Sequence, residues 1–459
     1  MNLDRWISLE KPWGSYRDVP GKLGMIKEVK MSMSIELLEK KKNLFRDIEI
    51  SDTEIVRSQG IYLWDAQGKQ YIDASAGTFN LSLGYNYREL IEHVQGQVEK
   101  MVHLSSSFLC QPVLEVAEKL VRIAPKNLTR VTTKVCSGST ANEGAVKLAQ
   151  YHTGKKDVIS FFRSHVGQTV YMQTVSGNTF RRKPFKFSQE GILHLHYPYC
   201  YRCHFHKEYP SCGATCADQI HDYLHYSTTG NVACLIIEPI LGNGGNVIPP
   251  VEYFQKLRKI CTEEEIVLIF DEIQTGMGRT GQMFAAQTFG VNPDIMTVAK
   301  GLGGSGFQIA AILMEERFNK MKAHYHSFTY GSNVMSCAAA SKTIDIISRE
   351  GFLENVRTTG NYFMQELEKL KEKYSFIGDV RGVGLMIGVE IVKSKATKLP
   401  DVPLTNAIAS KAAQNGLLLR TSLYGMGNVF KIRPALNITM EECEKLISIL
   451  DKTLEEFKS

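Results

Sequence analysis

Four short, almost wholly apolar runs, Val158–Phe162, Val232–Ile237, Ile266–Phe270 and Ile295–Val298, alternate along the chain with longer segments of helical periodicity. Runs that are this short and apolar on every position read as strands buried on both faces. Strands that alternate with helices form a parallel sheet covered by those helices. Open sheets of this kind bind ligands just outside the carboxyl ends of their strands. The residues that follow the runs are therefore the first to inspect, and they include Glu238, Asp271 and Lys300.

The rest of the chain is patterned differently. Ile55 to Asp73 reads as two strands hinged at the turn-forming segment Asp65 to Gly68. After about Ala338 long amphipathic helices (Thr343 to Ile347, Gly360 to Tyr374, Met440 to Phe457) surround a strand-like piece, Gly384 to Glu390, which reads as a smaller α+β domain. The first fifty residues read as an arm and a helix. A chain of 459 residues exceeds one simple core, and the expected division is 1–75, 76–337 and 338–459.

Composition excludes several classes. Hydrophobic residues make up 43% and charged residues 22%, ordinary globular usage. The net charge of +6 is small for this length and is not gathered into blocks, so nucleic-acid binding is not indicated. Neither a long apolar run nor a basic-then-apolar leader is present, which points to a cytoplasmic enzyme without a membrane partner. Ten cysteines in that setting are expected to remain thiols.

Three segments carry chemistry. Cys136-Ser137-Gly138-Ser139-Thr140-Ala141-Asn142-Glu143 places small residues ahead of a helix, whose free N–H groups would seat a phosphate, with Gly138 allowing close approach and Ser139 adding a hydroxyl. An ordinary Ser-capped helix would read the same way. Asp271, at the end of a buried strand, needs a partner; a pyridinium N–H is one, a helix cap or Arg279 another. Lys300, between the strand 295–298 and the glycine-rich Gly301 to Gly306, suits a Schiff-base amine of lowered pKa, although a lone lysine is more often a snorkelling surface residue.

Taken together, in this order and spacing, these segments resemble the class III (subgroup II) aminotransferases of pyridoxal-phosphate fold type I. The likeness runs from about residue 50 to the C-terminus and includes Glu238-Pro239-Ile240, Asp271-Glu272-Ile273-Gln274-Thr275-Gly276 and Thr329-Tyr330-Gly331-Ser332-Asn333. The resemblance implies an α/β fold: a large domain with a mostly parallel seven-stranded sheet covered by helices, and a smaller α+β domain built from the N- and C-terminal segments. It implies pyridoxal 5'-phosphate as cofactor, an amino acid donor and a carbonyl acceptor. Lys300 would hold the cofactor as a Schiff base and shuttle the substrate proton, and Asp271 would face the ring nitrogen. Gln274 would lie near the ring O3′, Gly138 and Ser139 at the phosphate, and Glu238 within the cofactor site. Thr329 would reach the phosphate of a neighbouring subunit, implying a homodimer with shared active sites.

The chain departs from that pattern in places. His165, in Phe162-Arg163-Ser164-His165-Val166-Gly167, stands where the family has an aromatic ring stacked on the cofactor. Asn243 replaces a Glu in Gly242-Asn243-Gly244-Gly245, and Lys431 replaces an Arg in Lys431-Ile432-Arg433-Pro434, with Arg433 the available substitute. Lysine does not reproduce a bidentate Arg contact, so carboxylate recognition is weakened and an acceptor without a carboxylate, such as an oxidised amino sugar in aminoglycoside biosynthesis, enters consideration. Cys200, Cys203, Cys212 and Cys216 have zinc-like spacing, but thiols packed as small hydrophobes are the favoured reading, so no metal is expected. The alternative activity is an amino-acid epimerase, racemase or ammonia-lyase, which would use the same cofactor residues.

Overall fold

The structure is a computed structural model that describes residues 35–45, 51–105, 107–185, 190–422 and 426–458. Most of the expected N-terminal arm lies outside those residues; within it a helix spans Ile35–Lys41. The strands in chain order are β1 (Ile55–Gln59), β2 (Tyr62–Asp65), β3 (Gln70–Asp73), β4 (Arg130–Thr132), β5 (Asp157–Phe161), β6 (Ile192–Leu195), β7 (Val232–Ile237), β8 (Val267–Asp271), β9 (Ile295–Val298), β10 (Ala311–Met314), β11 (Ile377–Val383), β12 (Met386–Ile391), β13 (Leu417–Leu418), β14 (Arg420–Thr421) and β15 (Val429–Ile432).

The central sheet has seven strands in the order β4-β10-β9-β8-β7-β5-β6. Its pairings β6 to β5, β5 to β7, β7 to β8 and β8 to β9 are parallel, and β10 runs antiparallel to both β9 and β4. The four apolar runs are β5, β7, β8 and β9, every residue of which is buried. Helices on both faces remove those apolar side chains from water, which is the main force holding this layer together. The parallel run brings the carboxyl ends of β7, β8 and β9 to one edge, with Glu238 and Asp271 at adjacent strand ends.

The segment 55–73 corrects the two-strand expectation. The turn at residues 66–69 is present, but the first strand is broken at Gly60, giving β1 and β2 as separate antiparallel strands. Gly60 adopts φ +58, and its backbone exchanges hydrogen bonds with Tyr85 (2.9 and 2.7 Å), a bridge that requires the chain to turn there. β3 then pairs in parallel with β13, so the N-terminal strands and the C-terminal segment share one sheet. The third sheet, β11-β12-β15-β14, is antiparallel and packs against the helix Phe352–Lys373.

We propose 1–75, 76–337 and 338–459 as the domain limits. The helix Val334–Ile347, which spans the second of them, packs on the helices Arg88–Lys100 and Gln111–Ile123 of the large part. Among the described residues no helix is long and apolar enough to cross a membrane.

Gly360 lies buried in the helix Phe352–Lys373, where a side chain would run into the backbone carbonyl of Gly384 in the turn between β11 and β12. Alanine there gains about 1 kcal/mol of helix propensity but must displace backbone, at a cost of about 1–3 kcal/mol. Gly360→Ala should lower the midpoint of thermal unfolding at equal cofactor loading. A raised midpoint would show that the helix does not approach the turn this closely.

Candidate active site

Lys300 follows β9 and opens a short 3-10 turn, Lys300–Gly303, with its backbone at φ +43. A left-handed conformation is costly for a residue with a side chain and persists where surrounding contacts dictate it. Here the turn is held by Ser82, whose hydroxyl donates to the Gly301 carbonyl at 2.6 Å. Burial lowers the Lys300 amine to about 8, against the attraction of Asp271 and Glu238, which favours its charged form. A partly neutral amine is what nucleophilic attack on a carbonyl requires.

Asp271 is buried at the end of β8. One of its oxygens accepts from the Ile273 N–H at 3.0 Å and the other from Asn142 Nδ2 at 2.7 Å. Asn142 is fully buried, donates also to the Val166 carbonyl at 2.7 Å, and accepts from Thr297 Oγ1 at 2.6 Å. Its amide is thereby fixed with the donor end on the carboxylate. Burial still raises the Asp271 pKa, opposed by those donors and by Lys300. Each oxygen keeps acceptor capacity for a ring N–H, whose positive charge would offset the burial.

Glu238 follows β7 and is also buried. It accepts from the backbone N–H of His165 at 2.8 Å and of Gly242 at 3.0 Å, so it ties together the loops after β5 and β7. Burial first, and then the neighbouring Asp271 charge, raise its pKa. Its carboxylate is spent on backbone, which makes it a scaffold of the pocket wall. His165 is half-buried; burial and the nearby Lys300, Arg181 and Lys431 cations lower its pKa to about 3, so the imidazole is neutral. An uncharged ring there suits packing against an aromatic face.

The helix Gly138–Thr153 is capped by Ser137, whose hydroxyl takes the Thr140 N–H at 3.2 Å. The N–H groups of Gly138 and Ser139 lie in the first turn, where the helix itself offers them no acceptor, at its positive end. A side chain at 138 would meet the tip of the Ile273 side chain at 2.7 Å, so glycine lets the helix sit this close to the turn after Asp271 without displacing Ile273. Ser139 Oγ accepts from Gln168 N–H at 2.9 Å, which leaves its own hydrogen to donate. Two backbone donors, a hydroxyl, a buried carboxylate and a depressed amine fit pyridoxal phosphate: an anion at one end, a ring nitrogen and a carbonyl at the other.

The remaining expected residues divide. Gln274 accepts from Arg433 Nη1 through Oε1. Arg433 and Lys431 are buried and share the ring of Phe79, with centroid distances of 3.3 Å to the guanidinium carbon and 5.1 Å to the ammonium nitrogen. Burial pushes both cations well down from their ordinary values, helped by the Arg433 charge for Lys431 and by the Arg279 charge for Arg433. Asn243 is half-buried in a loop pressed against the third sheet: Arg381 donates to the Gly245 carbonyl at 2.7 Å, and Asn246 Nδ2 to the Ile387 carbonyl at 2.7 Å. No hydrogen bond joins Asn243 to Lys431 among the described residues. Thr329 is exposed, in a loop pinned to the end of β4 by Phe328 and Ser332 N–H groups at 3.2 and 2.7 Å from the Lys134 and Thr133 carbonyls.

Cys200, Cys203, Cys212 and Cys216 line one small cavity with His204, and all four are free thiols. Burial and then the neighbouring thiols push Cys216 up to about 12. Among the described residues no three His, Cys, Asp or Glu side chains are assembled to hold a metal ion. Asn142 and Phe79 are the site residues to which the motif reading gives no role. Asn142 has a sequence signal: it lies three and seven residues before the apolar positions 145 and 149, so it falls on the buried face of its helix.

With this geometry in place, similarity to known proteins is informative. The family model described as Aminotransferase class-III matches residues 47–454. The chain is 34% identical to a leucine/methionine racemase of Thermococcus litoralis over 87% of this chain and 90% of that one. It is 34% identical to an acetylornithine aminotransferase of Methanothermobacter thermautotrophicus over 85% and 91%. Its fold superimposes on an (S)-enantioselective omega-transaminase from Thermomicrobium roseum with a TM-score of 0.85 at 28% identity, covering 93% of this chain and 99% of that one.

The depressed Lys300 amine makes a direct prediction. The rate at which the apoprotein captures pyridoxal phosphate, followed by growth of the visible band, should rise with pH as Lys300 deprotonates and level off above about 8. A rate still climbing beyond pH 9.5 would assign Lys300 the pKa of an ordinary exposed lysine, about 10.4.

Proposed function

The chain belongs to the class-III aminotransferase family, and from that membership we infer the parts its residues play as a pyridoxal-phosphate-dependent transaminase, which moves an amino group between amino and keto compounds. When bound, the cofactor supplies an electron sink that lets a Cα–H bond of the amino substrate ionise. The observation that carries the residue assignment is one buried amine, Lys300, within electrostatic reach of the carboxylates of Asp271 and Glu238.

In this reading Lys300 Nζ would hold the cofactor and would be the group that takes up and gives back the substrate proton. Asp271 holds the ring nitrogen in its protonated state, with Asn142 keeping the carboxylate in place. Gly138, Ser139 and a threonine from a second subunit hold the phosphate. His165 covers the ring, and Gln274 faces the ring hydroxyl. The donor is an amino acid and the acceptor a ketone or aldehyde.

The second subunit is supported by the surface around Thr329. Val102, Phe108, Leu109 and Tyr330 are 47, 67, 82 and 71% exposed. The two segments adjoin, with the rings of His103 and Tyr330 5.5 Å apart and Met335 N–H bonded to the Val102 carbonyl. An apolar patch of this kind is costly in water, and a second copy of the chain would cover it while delivering Thr329. Mixing Lys300→Ala with Thr329→Ala subunits should yield heterodimers with one doubly damaged and one intact site, restoring up to about half of wild-type turnover by symmetry. Proven heterodimers without recovery would refute the shared site.

Racemisation is the second reading, favoured by the leucine/methionine racemase relative. The two are told apart by whether an optically pure amino acid racemises without any keto acceptor.

Substrate choice rests on Asn243 and Lys431. Restoring the acid–base pair with Asn243→Glu plus Lys431→Arg should shift kcat/KM toward carboxylate-bearing amines over matched amines without a carboxylate, by about tenfold or more, because a forked Arg–carboxylate contact is charge-assisted. An unchanged ratio across such a panel would place both residues outside substrate recognition.

A further inference from the structure

We propose that Arg433 is a positioning residue that locks the side-chain amide of Gln274, so that its N–H donors, and never its carbonyl, face the cofactor. This rests on the placement of Gln274 at the ring hydroxyl.

The argument is one of hydrogen-bond inventory. Arginine has five donors and no acceptor, so the Gln274 atom that meets Arg433 Nη1 must be the carbonyl oxygen. The amide is planar, and fixing its oxygen on one side turns Nε2 to the other. Among the described residues Nε2 has no protein acceptor, and Gln274 is only half-buried, so those donors remain available to a ligand. Gly242 leaves room for that amide, because a Cβ there would overlap it, with Oε1 the nearest atom.

Arg433 is itself immobilised. Its N–H donates to the Ala74 carbonyl at 2.7 Å, its guanidinium lies 3.3 Å from the Phe79 ring centroid, and the residue is fully buried. Nε and Nη2 find no partner, so the bond to Gln274 is the side chain's one hydrogen bond among the described residues. A buried guanidinium without a carboxylate is costly. Its retention has a purpose if it orients a group that meets an anionic oxygen. An N–H donor toward the ring hydroxyl favours the ionised oxygen and weakens the base that shares a proton with it, so the pH at which the bound cofactor changes colour is held down.

The test is absorbance titration of the loaded enzyme, with no turnover needed. Arg433→Met frees the amide to rotate. It should raise the spectroscopic midpoint by about one unit, a tenfold change in proton affinity, and Arg433→Lys, which keeps one donor, should recover part of the shift. Gln274→Glu keeps the contact with Arg433 but presents an acceptor to the ring, and should shift the midpoint in the same direction as Arg433→Met. A shift in Gln274→Glu with none in folded, loaded Arg433→Met would overturn the positioning role alone. If Gln274→Glu leaves the band and its midpoint unchanged, Gln274 does not face the ring, and the underlying placement fails with it. Should Arg433→Met not fold, Arg433→Lys against Gln274→Glu still decides, since an unshifted Arg433→Lys that has lost the Gln274 contact counts against the proposal.

Discussion

Asp271 and Glu238 sit within the protein at the ends of adjacent parallel strands, and an ionised carboxylate so placed costs several kcal/mol unless hydrogen bonds or a cation offset it. The surrounding structure is arranged to supply that offset. Asn142, Ile273, His165 and Gly242 contribute N–H donors, and Lys300 contributes positive charge to both. The compensation is incomplete, since both carboxyl groups are held above their ordinary pKa. In the proposed placement a protonated ring nitrogen beside Asp271 would complete it, and part of the cofactor's affinity would come from relieving that electrostatic cost. The same burial lowers the Lys300 amine, so one dry edge of the sheet prepares acid and nucleophile together.

What the sequence reveals of this arrangement follows from range. Each of the four apolar runs is a self-contained signal of four to six residues, and each is a strand of the central sheet within one residue of the expected ends. Strands β4, β6 and β10 have three or four residues each, too few for a periodicity to stand out, and they acquire strand character from their neighbours. The break at Gly60 depends on Tyr85, twenty-five positions away, and a local turn signal cannot report it. Lys300 and Asp271 stand at strand ends where sheet geometry alone directs attention. Asn142, by contrast, reads locally as one polar residue in a helix, and only the fold reveals that it bridges Asp271 and Thr297. Nor does anything local place Phe79 on Arg433.

Under the substrate roles proposed for Asn243 and Lys431, two substitutions act together through charge and shape separately. Relative to a Glu and Arg pair, Asn243 removes a negative charge and Lys431 puts an amine in place of a guanidinium. The pair therefore lacks the planar fork that would fix a carboxylate in two directions. Lys431 is buried over Phe79 beside Arg433; burial is the first cause lowering both cations, with repulsion from Arg433 and then Arg420 adding to it for Lys431 and from Arg279 for Arg433. A negatively charged group entering from a substrate would relieve that repulsion whatever its exact angle. On the proposed reading, attraction for an anion would be retained while its orientation is relaxed, a combination that would tolerate acceptors of varied shape better than it would enforce a single carboxylate geometry. Arg433 is not free to serve as the missing fork, because its hydrogen bond is committed to Gln274 and its face to Phe79, so any reorientation toward substrate would release the Gln274 amide.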